Sequence, residues 1–494
     1  MPSAPAASDN KAMILTPAAP KTPRINGPKI FGARSNAPFL YTVPATGDRP
    51  MTFSAESLPD GLKIDATTGR ITGSLGKTGE YAVILHAKNA LGSDERALKI
   101  VIGDKIALTP PMGWNSWNCW AGAVDQEKVL KSAHAIVSSG LAQHGWTYVN
   151  IDDTWQGRRS GPSLALQANE KFPDIKGLCD EIHTMGLKAG IYSTPWTTSY
   201  AKFNGGSADT ADGKWEAPVE KPRYNHGIPP FAVAKYSFAK QDAQQWATWG
   251  FDYLKYDWNP IDIPAVEEMT NALRATGRDI VYSLSNGANF AWASDYVRLA
   301  NCWRTTGDIV DTWQSLSSIG FSQDKWAPYA APGHWNDPDM LIVGWVGWGP
   351  KLHPTRLTPD EQYTHISLWC MLSAPLLLGC DLDRLDDFTL SLLTNDEVLA
   401  LDQDTLGKQA VRAATSGAVD EFVKPLEDGS IALGLFNRGS TEEKVNVRLG
   451  GLGLSGKQVV RDLWRQKNLV LPEGRFDITV APHGVVLLKL TPAK

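Results

Sequence analysis

Tyr253-Leu254-Lys255-Tyr256-Asp257-Trp258 and Trp303-Arg304-Thr305-Thr306-Gly307-Asp308 are the stretches whose reading decides the fold. Each reads as a strand that ends in polar and aromatic residues and delivers one aspartate. Outward from them, from Pro110 onward, similar runs alternate with amphipathic segments. The candidate strands span 111–118, 147–153, 188–194, 252–257, 279–285, 302–307, 334–336 and 375–380. Helical patterns fall between several of them, at 126–145, 173–186, 266–277 and 359–373. Eight β/α repeats over roughly 290 residues predict one (β/α)8 TIM barrel, whose chemistry sits at the C-terminal strand ends. Two carboxylates arriving there from different strands point to glycoside hydrolysis, which needs a pair of acids.

The flanks read differently. Residues 28–104 hold short alternating runs such as Phe39-Leu40-Tyr41-Thr42-Val43, separated by turn signals such as Pro59-Asp60-Gly61. This predicts an N-terminal Ig-like β-sandwich, and the 58–73 stretch resembles bacterial immunoglobulin-like modules. The barrel is expected over 105–403, and short strands return over 404–494 as a C-terminal antiparallel β-sandwich. Residues 1–27, rich in Ala, Pro, Ser and Lys, are expected to form a disordered leader. The connection at 194–237 is long for a barrel loop, and we read it as an insertion that shapes the cleft. A surface excursion without substrate contact is the alternative.

Composition narrows the function classes. The net charge of −5 argues against a nucleic-acid partner, and no apolar run is long enough to span a membrane. No signal peptide is visible, yet a secreted or periplasmic bacterial location is expected for such a hydrolase. The five cysteines form no CxxC pair, so they are expected to be buried free thiols and no zinc site is expected. Nineteen tryptophans must mostly pack the core, with some free to stack on sugar rings. Oligomeric state is not legible, and the expected partner is a carbohydrate with no cofactor.

At the strand ends, Asp257 is the candidate nucleophile, because Lys255 shares its strand face and can hold a carboxylate ionised. Asp308 lies in a turn past its strand, with the reach of a proton donor, provided that its pKa is raised. Asp311 is its nearest competitor and reads better as a helix cap. Asp152 and Asp153 suit a grip on sugar hydroxyls; a cap plus a surface acid is the plain alternative. A metal held by Asp152, Asp153, Asp337 and Asp339 is a further one, which Lys255 and Arg304 oppose. His334 reads as packed, while Tyr192, Trp196 and Trp258 are either pocket walls or core.

The runs 109–117, Ile151-Asp152-Asp153, Leu254-Lys255-Tyr256-Asp257, Trp303-Arg304 with Asp308-Ile309, and His334-Trp335-Asn336-Asp337-Pro338-Asp339-Met340-Leu341 resemble glycoside hydrolase family 27. The family comprises α-galactosidases and α-N-acetylgalactosaminidases, and the resemblance spans roughly residues 107–490. It implies a retaining mechanism with Asp257 as nucleophile and Asp308 as acid/base. It implies that Asp152, Asp153 and Lys255 hold the O3, O4 and O6 side of galactose, and that Trp117 packs on the ring. Arg304 would reach the 2-substituent, with Asp339 and Met340 lining the pocket.

Departures bear on the substrate. The family's strand-five Glu, which binds the 2-hydroxyl, aligns with Ser285 in Tyr282-Ser283-Leu284-Ser285-Asn286-Gly287-Ala288. Ser285 and Ala288 would leave room for an N-acetyl group. The partners of the family's disulfides are missing, since Leu284 stands opposite Cys302 and Thr154 opposite Cys119. The leading expectation is a retaining exo-α-galactosidase acting on oligosaccharides, polysaccharides or glycoconjugates. α-N-Acetylgalactosaminidase, β-L-arabinopyranosidase and isomaltose-type glucanase activities are the alternatives within the family. A carbohydrate-binding module with an inactive barrel and a metal-dependent phosphoesterase are the alternatives outside it.

Overall fold

Eight short parallel strands run side by side through the middle of the chain in the computed structural model. They are β1 (Met112–Asn115), β2 (Tyr148–Asn150), β3 (Lys188–Ser193), β4 (Tyr253–Asp257), β5 (Val281–Ser285), β6 (Cys302–Arg304), β7 (Trp335–Asp337) and β8 (Leu376–Leu378). Each pairs with its sequence neighbour, β8 pairs back onto β1, and a parallel bridge from Leu341 to Leu378 closes the ring. The structure describes residues 13–214, 224–225, 231–349, 351–470, 472 and 474–493.

Seven of the eight strands fall inside the stretches read from the sequence and β7 overruns its stretch by one residue, Asp337; nearly all of their residues are buried. Close packing inside the ring is visible at Gly190 on β3. A β-carbon there would stand 2.0 Å from the Asn150 Oδ1. The helices between strands begin on polar caps. Asp125, Asp262 and Thr312 each accept a backbone N–H from the first turn of the helix they open. Thr358 forms a full capping box with Glu361 at the start of helix Pro359–Leu372. That helix is buried on nearly every side, since it lies between the barrel and the C-terminal sheet.

The N-terminal module packs a four-stranded sheet (Ile30–Ala33, Gly92–Ile102, Gly79–Asn89, Thr52–Glu56) on a three-stranded one over its own core. The C-terminal module is a six-stranded antiparallel sheet facing the pair Glu443–Arg448 and Arg475–Val480. All five cysteines are buried free thiols. One expectation needs correction. Residues 1–12 of the expected disordered leader lie outside the described residues, but 13–27 are held in place. Tyr363 Oη donates to the Met13 carbonyl at 2.8 Å, Thr16 Oγ1 donates to the Ser391 carbonyl at 2.8 Å, and Arg24–Ile25 pairs with Ala45–Thr46. Composition alone cannot reveal backbone polar groups that are satisfied by a distant helix.

The insertion is anchored rather than loose where it is described. Ser207–Ala208 pairs with Tyr236–Ser237, and Thr197 N–H donates to the Ala232 carbonyl at 2.9 Å. Residues 215–223 and 226–230 of it lie outside the described residues. Arg159 ties it to the barrel. Its guanidinium forms two 2.7 Å hydrogen bonds with Asp242, another of 2.6 Å to the Gly205 carbonyl, and sits 4.2 Å from the Phe238 ring centre. Both partners are almost fully buried, at 3% and 1% exposure. Asp242→Ala strands that cation in the interior and should destabilise the protein by about 3–5 kcal/mol. A urea titration followed by tryptophan fluorescence should show a lowered midpoint.

Candidate active site

A pocket of about 200 Å³ opens at the C-terminal ends of the strands. Consecutive strands supply its wall. Trp117 and Asn118 follow β1, Asp152 and Asp153 follow β2, and Tyr192 lies on β3 with Tyr200 beyond it. Lys255 and Asp257 come from β4, Asn286 follows β5, Arg304 ends β6 with Asp308 beyond it, and Asp339 and Met340 follow β7. A larger cavity of about 650 Å³ lies at the other end of the barrel, against the N-terminal module. None of the acids expected from the sequence lines it, and there Arg34 pairs with Asp279 and Arg278 with Asp252. It is a seam between modules.

The sequence expectation and the structure differ at Ser285. It ends β5 in register with Asp257 but does not line the pocket, lying 3.5 Å beneath an Arg304 nitrogen. Asn286, the next residue, takes the place on the wall. Ala288 also stays off it, with its N–H bound to the Arg304 carbonyl at 2.7 Å. Sequence reading missed Asn118, Asn286 and Tyr200. The first two adjoin quoted motif residues and were within reach; Tyr200 sits in an insertion that carries no pattern of its own. Asp311 is fully buried against Arg356 at 2.6 Å and off the pocket. His334 bonds the Tyr329 carbonyl and stacks on Trp303. Trp196 and Trp258 are core residues, whereas Tyr192 is a wall.

Two buried cations divide the acids between them. Lys255 Nζ donates to Asp152 Oδ2 at 2.7 Å, and Asp152 Oδ1 accepts the Asp153 N–H at 2.8 Å. Asp153 accepts N–H bonds from Thr154, Gln156 and Ala201, the last at 3.0 Å from the insertion. Arg304 holds Asp308 at 3.0 Å with one nitrogen and Asp339 at 2.9 Å with another. Of the four acids of the metal reading, Asp152 is thus held by Lys255 and Asp339 by Arg304, while Asp153 and Asp337 accept N–H bonds. Among the described residues no group of three or more His, Cys, Asp or Glu is arranged to hold a metal ion.

Asp257 is buried and Asp308 lies at the mouth, with its side chain 63% exposed. Tyr192 Oη donates to Asp257 Oδ2 at 3.0 Å, while Oδ1 has no hydrogen-bond partner among the described residues. Burial pushes the Asp257 carboxyl up to about 7, against the opposing pull of Lys255. Burial also opposes ionisation of Asp308, but the charges of Arg304 and Lys255 outweigh it and hold that carboxyl below its ordinary range. This inverts the expected order. Lys255 spends its hydrogen bond on Asp152, so Asp257 feels it only at a distance. Arg304, which the sequence placed at the sugar, sits directly beside Asp308.

The family model described as alpha galactosidase A matches residues 109–216 and 226–404. The chain belongs to that family. The alpha galactosidase C-terminal beta sandwich domain matches 416–490, and an Ig-domain model matches 22–103. Alpha-galactosidase 2 of Arabidopsis thaliana is 36% identical over 407 residues, covering 80% of this chain and 93% of that protein. A crystal structure of a candidate alpha-galactosidase from Bacteroides fragilis superposes with a TM-score of 0.85 at 34% identity, covering 96% of this chain and 98% of that one. A GH27 β-L-arabinopyranosidase of Geobacillus stearothermophilus superposes at 0.68 with 30% identity, covering 78% and 98%. The chain is a glycoside hydrolase of the α-galactosidase type, and no helix among its described residues is long and apolar enough to cross a membrane.

The Tyr192 contact is testable. Its hydrogen bond favours the ionised form of Asp257. Tyr192→Phe should raise that carboxyl further above about 7. A hydrogen bond to a charged group contributes about 1.5–3 kcal/mol, so kcat/KM should fall by roughly ten- to a hundredfold. The check is a pH–rate profile of the variant against the parent enzyme.

Proposed function

We propose that the protein is a retaining exo-α-galactosidase that releases terminal α-galactosyl residues by double displacement. One observation carries the reading: a pocket of about 200 Å³ with one carboxylate in its depth and one at its mouth. That volume lies below the roughly 300–1,000 Å³ of sites for drug-sized ligands and suits a single sugar. An exo enzyme seats the glycon inside and leaves the aglycon facing solvent. The deep group, Asp257, is then placed to attack C1. The exposed group, Asp308, is placed to protonate the departing oxygen and later to activate water. Asp152, Asp153 and Lys255 face the hydroxyls at one end of the ring. Asn286 and Arg304 face the 2-position at the other.

Catalysis needs Asp257 ionised and Asp308 protonated, and the environments favour the reverse. A sugar whose 2-hydroxyl engages Arg304 draws the guanidinium from Asp308 and lets the proton cross. This has a signed consequence for kcat/KM. With a poor leaving group both conditions apply, so the one-proton state is required and the rate falls as pH rises through about 7. With an activated leaving group only ionised Asp257 is needed, so the rate rises through about 7. Profiles on melibiose and on an activated dinitrophenyl α-galactoside should run in opposite directions across that range. Parallel profiles would remove the acid/base assignment. Asp257→Asn should abolish turnover of both while leaving the near-UV circular dichroism intact.

The α-N-acetylgalactosaminidase reading rests on small residues at Ser285 and Ala288, and against it Asn286 occupies the wall beside them. A β-L-arabinopyranosidase reading gains one observation. That activity favours bulk where a hexose carries its hydroxymethyl, and Tyr200 stands on the wall next to Ala201, whose N–H binds Asp153. Hydrolysis of the p-nitrophenyl α-galactoside, α-N-acetylgalactosaminide and β-L-arabinopyranoside, run in parallel, decides among them. Preference for the galactoside is expected. Preference for the pentoside would transfer the assignment, and Tyr200→Ala should then restore the hexose.

A further inference from the structure

Asp339 is fixed at its backbone and at both oxygens of its carboxylate. Its backbone has φ +84°, a left-handed conformation that L side chains rarely adopt. Such a backbone persists only where the surroundings impose it. Here its N–H donates to Asp337 Oδ1 at 2.8 Å, and its carbonyl accepts the Trp369 indole N–H at 2.6 Å. Both carboxylate oxygens are engaged as well. Oδ1 faces Arg304 at 2.9 Å, and Oδ2 accepts the Ile309 N–H at 2.8 Å. Ile309 is the residue after Asp308. One carboxylate therefore touches the cation beside the acid/base and the loop that carries it.

We propose that Asp339 is a positioning residue for the acid/base rather than a ligand of the sugar: by sharing the Arg304 guanidinium with Asp308, it keeps that cation from fully claiming a carboxyl that must carry a proton. The proposal rests on the acid/base role given to Asp308 above. With Asp339 present, Arg304 has a permanent counterion and can release Asp308 when substrate enters. Without it, Asp308 is the nearest remaining carboxylate partner of a buried guanidinium, and its proton becomes harder to hold. Only the step that needs that proton should suffer.

Two variants separate charge sharing from support of the fold. Asp339→Gly accepts a left-handed backbone without strain. Asp339→Asn tolerates it too and retains an acceptor for Ile309, but cannot neutralise Arg304. Both are assayed on aryl α-galactosides of increasing leaving-group pKa, with Asp308→Asn as reference. The expected result for both is a steeper dependence on leaving group. On the poorest leaving group kcat/KM falls by about a hundredfold, the scale of lost general-acid assistance, while the most activated one loses little. Equal losses across the series would overturn the proposal, as would an Asn variant that behaves like the parent. If Asp308→Asn itself shows no leaving-group dependence, the acid/base assignment falls and this proposal with it. If Asp308→Asn shows it and the Asp339 variants do not, only this proposal falls.

Discussion

A buried guanidinium must find negative charge, and Arg304 finds it in two places at once. It is almost fully buried, so leaving it unpaired would cost more than the barrel could easily spare. Asp339 answers it from β7 and Asp308 from its own loop, at 2.9 and 3.0 Å. The arrangement at the other side of the pocket is parallel. Lys255 is answered by Asp152, just past the end of β2, with only β3 between their strands. These two pairs fix where the remaining carboxylates stand. Asp257, between them, is left with a tyrosine and no cation of its own, which is why its burial governs its ionisation.

The barrel was readable because its eight strands repeat one physical demand. Each is a short run buried on both faces and ending in polar residues that need partners of their own. The pocket was readable for the same reason: the polar residues ending those runs have nowhere to go but the mouth. What failed to show was the division of charge. Lys255 lies two residues from Asp257 in sequence, yet its hydrogen bond goes to Asp152, a partner set by barrel closure. Ser285 and Asn286 differ by one position on a strand end, and one step turns a side chain from pocket wall to support. Residues 13–27 looked featureless because their partners, Tyr363 and Ser391, lie hundreds of residues away.

The insertion illustrates how a loop acquires a role without a motif. Its backbone ties to Asp153 through the Ala201 N–H, and its aromatic residues Trp196, Tyr200 and Phe231 pack on one another with ring centres 5.1 to 5.8 Å apart. Arg159 and Asp242 hold its base to the barrel. The result is an aromatic patch at the end of β3, where a barrel usually carries a short turn. The pocket wall is thereby shared between the scaffold and a segment that can vary in length without disturbing the strands.

Asp257 hangs from the wall by a single oxygen. Oδ2 is fastened by Tyr192, while Oδ1 is buried with no hydrogen-bond partner among the described residues. A carboxylate suspended in this way is no longer a symmetric reagent, because its two oxygens have been given different tasks. The fastened one sets the pivot and the plane. In the role proposed for Asp257, the other is the one left to meet an incoming carbon. For the nucleophile proposed above, the attacking oxygen is thus chosen by the hanging of one side chain, before any sugar has arrived.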